Sequence, residues 1–265
     1  MHTFGFHDAP MEEAIGVMTA ELSEILGPDL HSVWLYGSVP LGDFRLGWSD
    51  IDLMVFTNAP LDEKEADRLV LLRQRLTERH PGSPYYRLFE GVVVPLEEFR
   101  AGRYRRLVYW GTSGQRVTDR WAPDAFSLYE LSHDGVCLHG EPDREIFPRP
   151  SREELTAAVR GHLEAIRSCA VQTDERLYSC GWLLDIAPGV YTLRTGRVAA
   201  KTEAGEWALR TGLFDDPAPL ERTLKIRRSP MEYRDLPETR QWLQSLGPTV
   251  QAYADVLERE LSLHG

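Results

Sequence analysis

The spacing of apolar positions predicts helices and strands in alternation along the first part of the chain. Between 11 and 26, apolar residues recur at three- and four-residue steps, which predicts an amphipathic helix. Short apolar runs at 33–36, 51–56 and 85–94 are typical of strands. A charged stretch over 62–79 carries leucines on one face and predicts a second helix. Helices and strands therefore share this part of the chain.

The pattern then changes and becomes helical. Residues 100–124 are rich in arginine, glycine and aromatics and predict a partly helical excursion, and residues 125–138 predict a helix followed by a strand. A Pro- and charge-rich linker over 142–150 precedes a capping-box pattern that opens a helical region. We therefore expect an α+β fold, with a mixed, largely antiparallel sheet and flanking helices over 1–148 and a helical bundle over 149–265.

Charge and cysteine content narrow the class of protein. The chain has 30 basic and 41 acidic residues and a formal net charge of −11, which argues against a general nucleic-acid binder and suits a cationic partner or a carboxylate-bound metal. No apolar run approaches the roughly 18 residues of a membrane span, and the N-terminus lacks the pattern of a signal peptide. Three widely spaced cysteines predict a reducing, cytoplasmic location.

Two aspartates at the start of the second predicted strand carry the clearest chemistry. Asp50 and Asp52 are two residues apart, so on a strand they project to the same face. Their charges repel unless a cation lies between them, and Mg²⁺ prefers such oxygen ligands. Taken alone, the spacing also fits two exposed acids on an edge strand. Gly37 and Ser38, which end the preceding strand, leave room for a phosphate beside the backbone.

This arrangement resembles a known signature. Gly37-Ser38, eleven residues and then Asp50-x-Asp52 in a strand are similar to the motif of the DNA polymerase β-type nucleotidyltransferase superfamily. The resemblance implies that the Gly-Ser turn binds a triphosphate and that the aspartates hold Mg²⁺. It also implies a third carboxylate on a later strand, for which Glu90 is the candidate. The alternative is that Glu90 simply faces solvent.

A narrower resemblance extends over about residues 30–210. The segments 134–140 and 191–209 are similar to aminoglycoside adenylyltransferases of the streptomycin/spectinomycin type. This implies a catalytic nucleotidyltransferase domain, residues 1–148, and a helical substrate- and nucleotide-binding domain, residues 149–265. Lys201 matches the lysine that contacts the nucleotide phosphates in that family; by itself it reads as a surface lysine at a helix end.

The resemblance implies Mg²⁺-dependent transfer of AMP from ATP to a hydroxyl of a cationic small molecule, with an aminoglycoside as the candidate. Glu90 would be the general base and a further ligand for one or two Mg²⁺ ions held by Asp50 and Asp52. The residues implied for nucleotide binding are Gly37, Ser38, Ser49 and Lys201. We expect no membrane or nucleic-acid partner. The alternatives are a nucleotidyltransferase that modifies a protein or RNA, and a non-catalytic nucleotide-binding module of the same fold.

Overall fold

The computed structural model describes residues 8–111 and 113–264, which form two compact units. The first comprises the described residues up to Gly42 together with 50–123 and 130–148. The second comprises 43–49, 124–129 and the described residues from Arg149 onward. The assignment of catalysis to 1–148 and of substrate binding to 149–265 stays a prediction.

A mixed sheet forms the centre of the first unit. Strands β2 and β3 are parallel, and every other neighbouring pair among the described strands is antiparallel. The order across the sheet is β5-β4-β3-β2-β1-β6. The strands are β1 Leu30–Tyr36, β2 Ile51–Thr57, β3 Phe89–Pro95, β4 Leu107–Gly111, β5 Gly114–Thr118 and β6 Val136–His139. The predicted α+β class with a largely antiparallel sheet is confirmed.

Local signals in the sequence start the two long helices of this unit. Helix α1, Ala9–Leu26, begins after Asp8, whose carboxylate accepts a hydrogen bond from a backbone N–H of the first turn. Helix α2, Glu63–Arg79, begins with a capping box formed by Asp62 and Glu65. The apolar faces that both helices bury are the predicted ones. The short helix α3, Leu96–Ala101, also belongs to this unit, and α4, Ala125–His133, has residues in both units.

The structure corrects two sequence expectations in this unit. The third strand begins at Phe89 rather than at 85, because residues 86–88 form a 3₁₀ turn and Tyr85 donates a hydrogen bond from its hydroxyl to Asp8, at 2.7 Å. The prediction of a partly helical segment over 100–124 is wrong beyond α3, because β4 and β5 form an antiparallel pair there. Strand β5 is mostly exposed, so its residues show no apolar alternation, and only its pairing with β4 makes it a strand.

The second unit is helical from Arg149 onward. Ser151 and Glu154 form the predicted capping box at its first helix, and apolar side chains from several helices share one core. The helices are α5 Arg152–Cys169, α6 Tyr178–Thr195, α7 Lys201–Arg210, α8 Ala218–Arg228, α9 Pro230–Tyr233, α10 Pro237–Gln244 and α11 Gly247–His264. No helix in the described part of the chain has the length and apolar character needed to cross a membrane.

Candidate active site

The sheet register places two of the three predicted carboxylates side by side. Asp52 on β2 and Glu90 on β3 are register partners in the parallel pair. Partners of this kind project to the same face, at the roughly 4.8 Å spacing of neighbouring strands. Asp50 lies two residues before Asp52, directly ahead of β2. All three side chains are partly exposed, so they remain accessible to a ligand.

The turn after β1 lies directly against Asp52. Gly37 follows the last residue of the strand, Tyr36, which is the antiparallel register partner of Asp52. Its φ of +72° favours glycine, and a Cβ at this position would lie 2.3 Å from Oδ2 of Asp52. Ser38 donates a hydrogen bond from Oγ to the backbone carbonyl of Asp50, at 3.4 Å. Only glycine lets the turn approach the carboxylate so closely.

A second glycine brings β3 close to β2 beside Glu90. Gly91 has a φ of +143°, and a Cβ there would lie 1.8 Å from the backbone oxygen of Leu53. Any larger residue would push the two strands apart at the point where Glu90 faces Asp52. The first unit therefore brings together five of the predicted residues, which are Gly37, Ser38, Asp50, Asp52 and Glu90.

Ser49 and Lys201 belong to the second unit. The Ser49 hydroxyl is buried and accepts a hydrogen bond from the Arg45 backbone N–H, at 3.1 Å, which stabilises the turn before Asp50. Its predicted contact with the nucleotide stays a prediction. Lys201 is the first residue of α7, and its Nζ lies 2.6 Å from Oδ1 of Asp185 on α6.

The Asp185 carboxylate raises the pKa of the Lys201 ammonium, which therefore stays protonated at neutral pH. A permanent positive charge suits the predicted role of Lys201 beside phosphates. The pairing with Asp185 is a contact that the sequence does not reveal. The two residues lie on different helices, and no spacing rule joins them.

The donor set around Asp52 suits a hard divalent cation, because the carboxylates supply only oxygen atoms. Within 8–111 and 113–264, however, no three His, Cys, Asp or Glu side chains are arranged as a metal site by themselves. Mg²⁺ is commonly held by one or two carboxylates together with phosphate oxygens and water. Asp50 and Asp52 fit that smaller role, and the third ligand, Glu90, stays a prediction.

Comparisons with known proteins identify a matching domain family and several relatives. The protein family described as "Nucleotidyltransferase domain" matches residues 20–84, a range that contains Gly37, Ser38, Asp50 and Asp52. The spectinomycin 9-adenylyltransferase of Staphylococcus aureus is 23% identical over 200 residues, which cover 71% of this chain and 74% of that protein. The aminoglycoside (3'') (9) adenylyltransferase of Klebsiella pneumoniae is 28% identical over 218 residues, which cover 75% and 80%.

A solved structure shares the fold. The spectinomycin adenyltransferase of Enterococcus faecialis, crystallised with ATP and spectinomycin, matches with a TM-score of 0.59 and 15% identity. The match covers 93% of this chain and 99% of the other. The family resemblance predicted from the sequence is therefore confirmed: the chain carries a nucleotidyltransferase domain, is an enzyme of that class, and resembles spectinomycin and aminoglycoside adenylyltransferases over most of its length.

Proposed function

We propose that this enzyme transfers AMP from ATP to a hydroxyl of an aminoglycoside or of spectinomycin. The observation that carries the proposal is the register pairing of Asp52 with Glu90, beside the turn at Gly37. A carboxylate pair at the start of two neighbouring parallel strands, with a glycine turn against it, has the parts that nucleotidyl transfer requires. The acceptor is inferred from the names of the relatives.

The proposed reaction is an in-line substitution at the α-phosphorus of ATP. The acceptor hydroxyl oxygen forms a bond to that phosphorus, and the bond to the bridging oxygen of pyrophosphate breaks. Glu90 takes the proton of the attacking hydroxyl, which makes the oxygen a better nucleophile. The reaction needs positioning and charge neutralisation more than covalent chemistry from the protein.

The nucleotide would be held by the backbone of the turn after β1 and by positively charged groups. Gly37 and Ser38 offer a turn with room for phosphate oxygens, and Lys201 offers an ammonium whose raised pKa keeps its charge. Asp50 and Asp52 would hold Mg²⁺, which neutralises phosphate charge when it is bound. A chain with a net charge of −11 suits an acceptor that carries ammonium groups.

Incubation with Mg²⁺, ATP and a panel of aminoglycosides and spectinomycin tests the proposal. We expect pyrophosphate release with at least one antibiotic, and mass spectrometry should show that antibiotic with one added AMP. Omission of Mg²⁺ should abolish both signals. Pyrophosphate release that requires a protein or RNA instead would overturn the antibiotic as acceptor, and absence of Mg-ATP binding by calorimetry would overturn the enzyme function itself.

A further inference from the structure

A buried charged network lies in the second unit, next in the chain to Lys201 and to the segment that ends at Ser49. Asp43 and Arg227 are only 4% and 2% exposed. Nη2 of Arg227 donates to Oδ2 of Asp43 at 2.7 Å and to the Asp43 backbone oxygen at 3.1 Å. Thr202 donates to the same carboxylate from its hydroxyl at 2.6 Å and from its backbone N–H at 3.2 Å.

The carboxylate of Asp43 serves as the cap of α7. The residue in the N-cap position, Ala200, has no side-chain acceptor, and Asp43 accepts from the backbone N–H of Thr202 instead. Nε of Arg227 also donates to the Thr202 hydroxyl, at 3.1 Å. The three side chains therefore satisfy one another, as a buried charge requires.

Burial of an ion pair is a weak route to stability. Removing two charges from water costs several kcal/mol per ion, and well-packed apolar residues at the same positions often give a protein of equal or greater stability. Arg227 belongs to the basic run 225–228 of α8, yet it is one of the largest fully buried side chains. A costly buried network at this place in the chain points to a role in positioning.

The position of the network in the chain indicates which segments it holds in place. Asp43 lies between Ser38 and Asp50 in the sequence, in the segment 43–49 that belongs to the second unit. Arg45 lies 3.7 Å from Asp43 and is hydrogen-bonded through its backbone to Ser49, the residue before Asp50. The ring of Trp48, from the same segment, lies 5.5 Å from the guanidinium of Arg227. The other end of the network, Thr202, directly follows Lys201.

We propose that Asp43 is a positioning residue that holds two nucleotide-binding elements at once, the segment leading to Asp50 and the helix that begins with Lys201. The nucleotide part of this inference rests on the proposed function. Asp43 acts through Thr202 and Arg227 and does not touch the substrate. Loss of its charge loosens both ends together, which weakens Mg-ATP binding beyond any loss of stability.

The test compares Asp43→Asn with a matched variant, Glu260→Gln. Glu260 is also a buried carboxylate of the second unit and is held by Arg194, with Nε to Oε2 at 2.9 Å. Both variants remove the charge of a buried carboxylate that is paired with an arginine. We expect Asp43→Asn to weaken Mg-ATP binding by about tenfold in calorimetry, as loss of a positioning contact typically does. Glu260→Gln should leave Mg-ATP binding within about twofold of the wild-type value. Both measurements are made well below the melting temperatures of the two variants.

The double variant Asp43→Asn with Arg227→Met separates stability from positioning. It removes both buried charges, so the melting temperature should recover relative to Asp43→Asn alone. Mg-ATP binding should stay weak, because neither Thr202 nor the 43–49 segment regains its partner. Recovery of Mg-ATP binding together with stability would overturn the proposal and leave the network a purely structural feature.

Hydrogen exchange of the ligand-free variants gives a readout that does not depend on nucleotide. Asp43→Asn should raise exchange in peptides covering 43–52 and 200–206, and Glu260→Gln should not. Unchanged exchange in those peptides would overturn the positioning role whether or not ATP binds. Raised exchange in a protein that binds no Mg-ATP would retain the positioning role and contradict the proposed function alone.

Discussion

Two carboxylates of the first unit and two of the second lie in opposite environments. In the first unit, Asp52 and Glu90 are partly exposed and are brought together by strand register. In the second unit, Asp43 and Glu260 are buried, and each is bonded to an arginine. Partly exposed acids that lie side by side can bind a cation or accept a proton, whereas the buried carboxylates of Asp43 and Glu260 are bonded to arginines and hold structure in place. The difference separates residues that we expect to perform chemistry from residues that hold others in place.

The sharpest test of this contrast is removal of charge from the strand pair. Asp52→Asn should lower AMP transfer about ten-thousandfold, because several kcal/mol of charge stabilisation is lost while the shape is kept. Pyrophosphate release measures the loss, and circular dichroism should show an unchanged fold. Asp67→Asn, at an exposed position on α2, is the control and should keep full activity. Near-normal activity of Asp52→Asn would remove this residue from the site.

Glu90 should affect turnover rather than nucleotide binding. Glu90→Gln is expected to lower kcat about a hundredfold to a thousandfold, because the attacking hydroxyl loses its base, and to leave the KM for ATP nearly unchanged. The acidic limb of the pH–rate profile should also disappear. Glu97→Gln, on the exposed surface of α3, serves as the matched variant. An unaltered pH profile in Glu90→Gln would assign the base to another group.

Two glycines allow backbone strain to be separated from crowding of Asp52. Gly37 and Gly42 both have a positive φ, but a Cβ at Gly37 would collide with Asp52 and a Cβ at Gly42 would meet open space. Each alanine variant should lose about 1 kcal/mol of stability from the strained φ. Gly37→Ala alone should also lose about tenfold to a hundredfold in kcat, since small misplacements are costly. Equal kinetics in the two variants would deny the close approach a functional role.

The pair of Glu260 and Arg194 should show its contribution in stability alone. Arg194 lowers the pKa of Glu260 from 4.5, so the pair stabilises the fold above that pH and loses its effect as pH falls through the lowered pKa. Glu260→Gln should cost about 1–3 kcal/mol at pH 7. Denaturant titrations at pH 7 and pH 3 measure the difference, which should shrink at the lower pH. A difference that is constant with pH would exclude the ion pair as its source.

The smallest expected effect concerns Lys201. Its pKa is raised from 10.5 by Asp185, so the pair contributes below pH 10.5 and the contribution is lost as pH rises through the raised value. Because Lys201 is half exposed, Asp185→Asn should cost less than about 1 kcal/mol at pH 8. Unfolding curves at pH 8 and pH 11 check this. A cost that is as large at pH 11 as at pH 8 would come from packing instead.

Much of the first unit could be predicted because its signals are local. The caps at Asp8 and Asp62 act within one helical turn, and the Asp50-x-Asp52 spacing requires only the two-residue period of a strand. The hairpin of β4 and β5 could not be predicted in the same way. Its outer strand is polar and exposed, and it exists through pairing with residues that lie elsewhere in the chain.

The sequence by itself determined helices α1 and α2, the positions of β1, β2 and β3 along the chain and the residue types of the site, since periodicity, caps and short motifs depend on neighbours in the chain. Only the tertiary structure decided that Glu90 faces Asp52, that Gly37 lies against that carboxylate, and that Lys201 pairs with Asp185. It also decided that Arg227 is buried rather than solvated. These contacts join residues far apart in the sequence, and long-range packing leaves no periodic signal in it.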